Sequence, residues 1–276
     1  MPEQPRSPVT ATDGAPGRDV GLVVSEAEIS MVQIRRQHRG NSVTPELMDE
    51  LAARVSALDE SAAVRGVVLS GTERIFCSGA DLTELREMWG SQGTQAVVAY
   101  LGERWMPSVQ AALRAVWYAR LPIVAAVNGA ATAGGLDLAL CCTYRVAGTS
   151  ARLGETYVRL GLVPVAGGSA LLPWFAGLGR AGYLLLTGRL VPADQALQWR
   201  IVDEVVGDDE VVTTATQRVS EMCDAEPDTA RELTRLIRST EDARFEHHLD
   251  QALQVNRELL RRPEIQAKLT DTLRAY

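Results

Sequence analysis

A chain of 276 residues with 46% hydrophobic content can enclose one large core, or a core with an appendage. Its formal net charge of -7, with Lys268 as the only lysine and no basic stripe, argues against nucleic-acid binding, because phosphate-backbone affinity grows with Lys and Arg contacts. No apolar run approaches the roughly 18–20 residues of a membrane-spanning helix, and the four cysteines, two of them adjacent as Cys141-Cys142, form neither a disulfide framework nor a metal-ligand pattern.

Residues 1–18, rich in Pro, Gly, Thr and Ala, lack a basic start and an apolar stretch, so they read as a disordered leader rather than a secretory signal. A cytoplasmic protein with reduced thiols is the expectation. Strands are predicted at Val20 to Ser25 and Ile29 to Arg35, a helix from Pro45 to about Leu58, and a third strand at Gly66 to Ser70. The region Leu82 to Ala119 reads as two or three helices, broken at Gly90 to Gly93 and again near Met106-Pro107. A strand at Ile123 to Val127 and a helix from Gly134 to Cys142 follow, an alternation that implies an α/β core with mostly parallel pairing. After about residue 200, amphipathic helices are predicted at Asp208 to Ala225, Asp228 to Ser239 and Asp242 to Leu260, punctuated by Pro227 and Pro263. The chain thus divides into a leader, a core over 19–200 and a helical region over 201–276.

Two glycine-rich corners carry the chemistry: Phe76-Cys77-Ser78-Gly79-Ala80-Asp81-Leu82, and Asn128-Gly129 through Ala133-Gly134-Gly135-Leu136-Asp137. Each follows a strand and feeds a helix, whose first N–H groups lack intrahelical partners and favour negative charge. Two such donors converging on one oxygen would stabilise a carbonyl as it becomes an enolate or tetrahedral anion.

These corners, at this separation, closely resemble those of the enoyl-CoA hydratase/isomerase (crotonase) superfamily, with its Phe-x-x-Gly-Ala-Asp block and later Asn-Gly and Gly-Gly turns. Leu153-Gly154, Leu160-Gly161-Leu162-Val163-Pro164 and Gly167-Gly168 follow in order, and the resemblance spans roughly residues 20–260. It implies a spiral of ββα turns with a C-terminal helical appendage, commonly assembled as a trimer or a dimer of trimers. It also implies a coenzyme A or carrier-bound acyl thioester as substrate, without a permanently bound cofactor. The Ala80 and Gly134 N–H groups would hold the thioester oxygen. Arg36, His38 and Gly40, with Ser78, Asp81 and Leu82, match the segments that contact substrate or CoA, and Trp89 and Trp105 flank the region that lines the acyl pocket in relatives.

The side chains must select among the reactions of this superfamily. Asp137, three residues beyond Gly134, is the leading proton-transfer candidate; hydratases of the family carry glutamate there. Their second glutamate falls at Tyr157, which cannot ordinarily act as a base near neutral pH. Glu155 would need a different local backbone to replace it, since residues two apart do not share a helix face, and it reads as a surface or turn carboxylate. Asp81 reads as a structural tie of the first corner. Arg36 and Arg39 are candidates for phosphate contacts. His247-His248 reads as a surface pair with no metal-ligand partners, and Gly177 to Gly182 matches G-x-G-x-x-G without a strand before it, so it reads as a helix-helix corner. An atypical hydratase/isomerase is the first expectation; a decarboxylase or dehydratase of a carrier-bound intermediate, a thioester hydrolase and a catalytically silent binding protein are the alternatives.

Overall fold

The computed structural model describes residues 21–72 and 74–276; the predicted leader and Val20 lie outside them. β1 (Leu22–Ser25) and β2 (Ile29–Ile34) form an antiparallel pair, with Leu22 opposite Ile34. α1 (Pro45–Glu60) begins with proline in its first turn, and the Thr44 hydroxyl accepts from the Leu47 N–H at 3.3 Å, satisfying one orphan donor. Three successive units then place one strand in each of two sheets. β3 (Gly66–Ser70) leads to β4 (Ile75–Cys77), β5 (Ile123–Val127) to β6 (Ala130–Thr132), and β7 (Tyr144–Gly148) to β8 (Arg152–Gly154). The larger sheet runs β1-β2-β3-β5-β7-β10 and the smaller β4-β6-β8-β9, with β9 at Val191–Pro192 and β10 at Glu204–Val206. Pairing is parallel except for β1 with β2 and β8 with β9.

Helices join these strands into a spiral. α2 (Leu82–Gln92), α3 (Thr94–Tyr100) and α4 (Met106–Tyr118) follow β4, while α5 (Gly134–Leu140) follows β6. α6 (Gly168–Ala176), α7 (Leu178–Thr187) and α8 (Ala193–Gln198) lie between β8 and β10. The chain ends with α9 (Val211–Met222), α10 (Pro227–Ser239), α11 (Asp242–Leu260) and α12 (Pro263–Ala275). α2 and α3 separate at Gly93, where φ is +81°, as the glycine pair predicts. Near Met106-Pro107, where a second break is predicted, the helix changes type without leaving helical dihedrals: a π-helical turn, Leu101–Trp105, runs into α4, and Pro107 sits in the first turn of α4. A π turn changes the hydrogen-bond spacing, which accommodates the N–H that proline lacks.

The buried strands sort their side chains with the two-residue period of a sheet. Val67, Leu69, Ile123, Ala125 and Val127 face the main core, whereas Val68, Val124, Ala126 and Val146 pack against Val211, Ala215, Val219 and Cys223 along α9. Complete burial of one such valine or leucine contributes about 1.5–3 kcal/mol. β10 and α9 both lie beyond residue 200, so residues C-terminal to the spiral complete its sheet and cover one of its faces. No helix among the described residues is long and apolar enough to cross a membrane.

Candidate active site

The corners meet because small residues let the smaller sheet press against α5. A Cβ on Gly135 would fall 2.0 Å from the Cys77 carbonyl oxygen, so the α5 backbone lies directly against β4. The Thr132 hydroxyl donates to the Ser78 carbonyl at 3.0 Å, tying the second corner to the first, and Asn128 accepts from the Gly71 N–H, just after β3, at 3.0 Å. A Cβ on Gly79 would lie 3.4 Å from the Gly134 nitrogen, which places Ala80 and Gly134 on adjoining turns. Among the described residues, neither the Ala80 nor the Gly134 N–H donates to a turn or loop carbonyl. Ala133, just before Gly134, has φ 49° and ψ -123°, a conformation that a residue with a Cβ rarely adopts.

Three side chains gather beneath this corner. Asp137 and Glu155 are 0% and 1% exposed, and Tyr157 is 4% exposed. The Tyr157 hydroxyl donates to Asp137 Oδ2 at 3.0 Å and lies 3.3 Å from where a Gly134 Cβ would be. The phenol therefore stands between the carboxylate and the corner. The expectation that Glu155 is a surface or turn carboxylate is overturned. Its backbone is extended (φ -95°, ψ 92°) at the end of β8, and the 3-10 turn Thr156–Leu160 starts only after it. The two-apart spacing that separates residues on an α-helix thus brings Glu155 and Tyr157 together here. Burial pushes Asp137 up to about 7, opposed by the Tyr157 hydrogen bond and by the Gly168 and Ala166 amides, which favour its charge without closing well-formed bonds to Oδ1. Burial, then the Asp137 charge, pushes Glu155 well above the usual carboxylate range. Burial and the two carboxyls likewise hold Tyr157 well above an ordinary phenol, so it remains a donor.

The predicted CoA-contacting residues border the first corner. A 3-10 turn, Gln37–Arg39, precedes Gly40, whose Cβ position is 3.3 Å from Ser78 Oγ. Val43 pairs with Ala80, and its N–H donates to the Gly79 carbonyl at 2.8 Å. Asp81 behaves as the structural tie: it accepts from the Glu84 N–H at 3.0 Å at the start of α2 and pairs with Arg36 at 3.1 Å. Arg36 also donates to the Ser42 carbonyl at 2.8 Å, so its guanidinium is engaged within the chain. Arg39 lies 3.8 Å from Asp81, its buried Nη1 lacks a hydrogen-bond partner, and His38 is exposed nearby. Leu82 opens α2 beside them.

Gly168 was part of the Gly-Gly motif, but its role was not legible from it. Its backbone at the start of α6 faces both buried carboxyls. α11 and α4 brace the segment leading to it: Asn256 accepts from the Val163 N–H and donates to its carbonyl, both at 3.0 Å, and Gln110 donates to the Val165 carbonyl at 2.9 Å. Such a brace joins residues 93 apart, beyond any local pattern. Trp105 reaches within 4.0 Å of the Gly134 Cβ position, whereas Trp89 stacks under Arg274 of α12. His247 is exposed, but His248 is half-buried and hydrogen-bonds Ser169 at 2.6 Å, so the pair is not a plain surface pair. Gly177 joins α6 to α7, the helix-helix corner expected of that motif.

The sequence model of the enoyl-CoA hydratase/isomerase family matches residues 25–276. A probable enoyl-CoA hydratase of Rhizobium meliloti is 34% identical over 194 residues, covering 70% of this chain and 71% of that protein. A short-chain-enoyl-CoA hydratase of Clostridium acetobutylicum is 30% identical over 197 residues, covering 71% and 72%. The solved enoyl-CoA hydratase/isomerase of Pseudoalteromonas atlantica T6c superposes with a TM-score of 0.82 at 27% identity, covering 92% of this chain and 97% of that one. With its two-sheet spiral and paired glycine corners, the chain belongs to the enoyl-CoA hydratase/isomerase family of the crotonase superfamily.

Proposed function

We propose that this enzyme converts an acyl-CoA thioester through an enolate, with Asp137 as its proton-transfer group and the Ala80 and Gly134 N–H groups holding the thioester oxygen. The observation that carries this reading is the Tyr157 hydroxyl standing between Asp137 Oδ2 and the Gly134 corner. One carboxylate can remove a proton from one carbon of the acyl chain and return it to another. The C–H electron pair enters the enolate, whose oxygen two oriented N–H groups stabilise. With a phenol where hydratases carry their second acid, double-bond migration fits the site better than fast water addition. Arg39, whose side chain is 30% exposed against 12% for Arg36, is the better phosphate contact; Arg36 orders the loop through Asp81. Exposed Leu178 and Leu186 on α7, at 82% and 79%, support a homo-oligomer.

Crotonyl-CoA hydration and 3-enoyl-CoA isomerisation should be assayed side by side in wild type and Asp137→Asn. Thioester binding should survive the substitution while turnover falls by about two to four orders of magnitude. Unchanged turnover in that variant would remove Asp137 from the chemistry. Hydration as fast as that of a two-glutamate hydratase would reverse the preference for isomerisation.

A further inference from the structure

Glu155 is almost completely enclosed, yet neither of its carboxyl oxygens has a fixed hydrogen-bond donor. Its polar neighbour is a second buried carboxyl. A Cβ on Gly168 would meet Asp137 Oδ1 at 2.3 Å and Glu155 Oε1 at 2.6 Å, so the two oxygens converge on one point. Among the described residues, the main interactions acting on the pair involve no cation: they come from each other, Tyr157 and backbone amides. Two carboxylates about 4 Å apart would repel by about 4 kcal/mol even at an effective dielectric constant near 20, in addition to the cost of desolvating each charge. One proton between them removes that repulsion and supplies the donor that Asp137 Oδ1 lacks.

The surrounding donors decide which carboxyl keeps the proton. Tyr157 donates to Asp137, and the Gly168 and Ala166 amides also favour charge on Asp137. Glu155 has only Asp137. We propose that the two residues share a single proton held on Glu155, a neutral acid that donates to ionised Asp137, making Glu155 the positioning residue of the catalytic base. Its role in turnover rests on the reading of Asp137 given above; the resting arrangement does not. During turnover Asp137 accepts a proton from a substrate carbon as the C–H pair enters the enolate, and the two carboxyls then hold two protons. Return of that proton to another carbon restores the resting pair, and Glu155 keeps its own proton throughout.

The other titratable groups facing the pair are Tyr157, Cys77 on β4 and Cys141 after α5. Burial pushes Cys77 up to about 12 and raises Cys141 well above its ordinary value, so neither supplies a charge near pH 7. Arg145 and Arg238 act on Cys141 and Cys142. Phe245 of α11, against Gly167, brings no charge.

Infrared spectra of the ligand-free full chain at about pH 8, where exposed carboxyls are ionised, test the arrangement directly. The carbonyl stretch of a protonated carboxylic acid should be present in wild type, persist in Asp137→Asn and vanish in Glu155→Gln. Its absence from wild type, its loss in Asp137→Asn or its survival in Glu155→Gln overturns the proposal. Wild type and Asp137→Asn suffice if Glu155→Gln does not fold. These spectra need no substrate, so they stand or fall separately from the assigned reaction. In kinetics, Glu155→Gln should retain about a tenth or more of turnover, because an amide still donates. Its pH profile should lose the alkaline decline caused by ionisation of Glu155; an unchanged decline would also overturn the proposal.

Discussion

Tyr157 Oη lies 3.0 Å from Asp137 Oδ2, a contact that joins the 3-10 turn after β8 to the first turns of α5 across twenty residues of sequence. It fixes the carboxylate from the side facing the Gly134 corner. Tyr157→Phe keeps the ring packing and deletes that donor. A hydrogen bond to a charged group contributes about 1.5–3 kcal/mol, so turnover should fall by roughly 10–100-fold. Because this bond favours ionised Asp137, the acid limb of the kcat profile, expected near the value of about 7 to which Asp137 is pushed, should move upward. A pH-rate series checks both, and an unmoved limb would show that the phenol does not act on the base.

Gly168 leaves no room for a side chain beside the two carboxyls. An alanine there must displace Asp137 Oδ1 from 2.3 Å and Glu155 Oε1 from 2.6 Å. Overpacking of this kind costs about 1–3 kcal/mol of stability. Misplacing the base should cost at least about 100-fold in turnover. Denaturant titration and steady-state kinetics of Gly168→Ala measure the two losses; near-native values for both would mean the backbone there yields easily.

The strained dihedrals at Ala133 predict the opposite sign. Such a conformation costs on the order of 1–3 kcal/mol in a residue with a Cβ, while glycine brings an unfolded-state penalty of about 0.5–1 kcal/mol. Ala133→Gly should therefore leave the protein about as stable or up to about 2.5 kcal/mol more stable, although most buried substitutions destabilise. Thermal unfolding decides this, and a clear loss of stability would show that the alanine methyl packing outweighs the strain.

Asp137 should also tie stability to pH. Its folded-state value is raised from 3.8 to about 7, so the folded protein binds a proton that the unfolded chain releases in that window. Its contribution is fully present below about pH 4 and is lost as pH rises through about 7. Asp137→Asn removes this dependence. Relative to wild type, the variant should gain stability with rising pH, by up to about 4 kcal/mol between about pH 4 and pH 8. Chemical denaturation across that range tests it, and a difference that stays flat would mean the carboxyl is not desolvated.

Local pattern made the long elements visible in the sequence: β3 and β5 as apolar runs bounded by turn residues, α1 from Pro45, and α11 through its helical period. Both glycine corners and Asp137 were visible for the same reason, because turn chemistry and helix position act over a few neighbouring residues. The strands β4, β6 and β8 were not, since three residues carry no measurable period and form only against one another. Tertiary structure also decided the fate of Glu155 and Gly168. One extended residue at the end of β8 turns a solvent-facing expectation into a buried carboxyl, and the bracing of Val163 and Val165 by α11 and α4 brings the Gly168 backbone against both acids. Desolvation and charge repulsion depend on distances between residues far apart in the chain, and those distances exist only once the sheets and helices have packed.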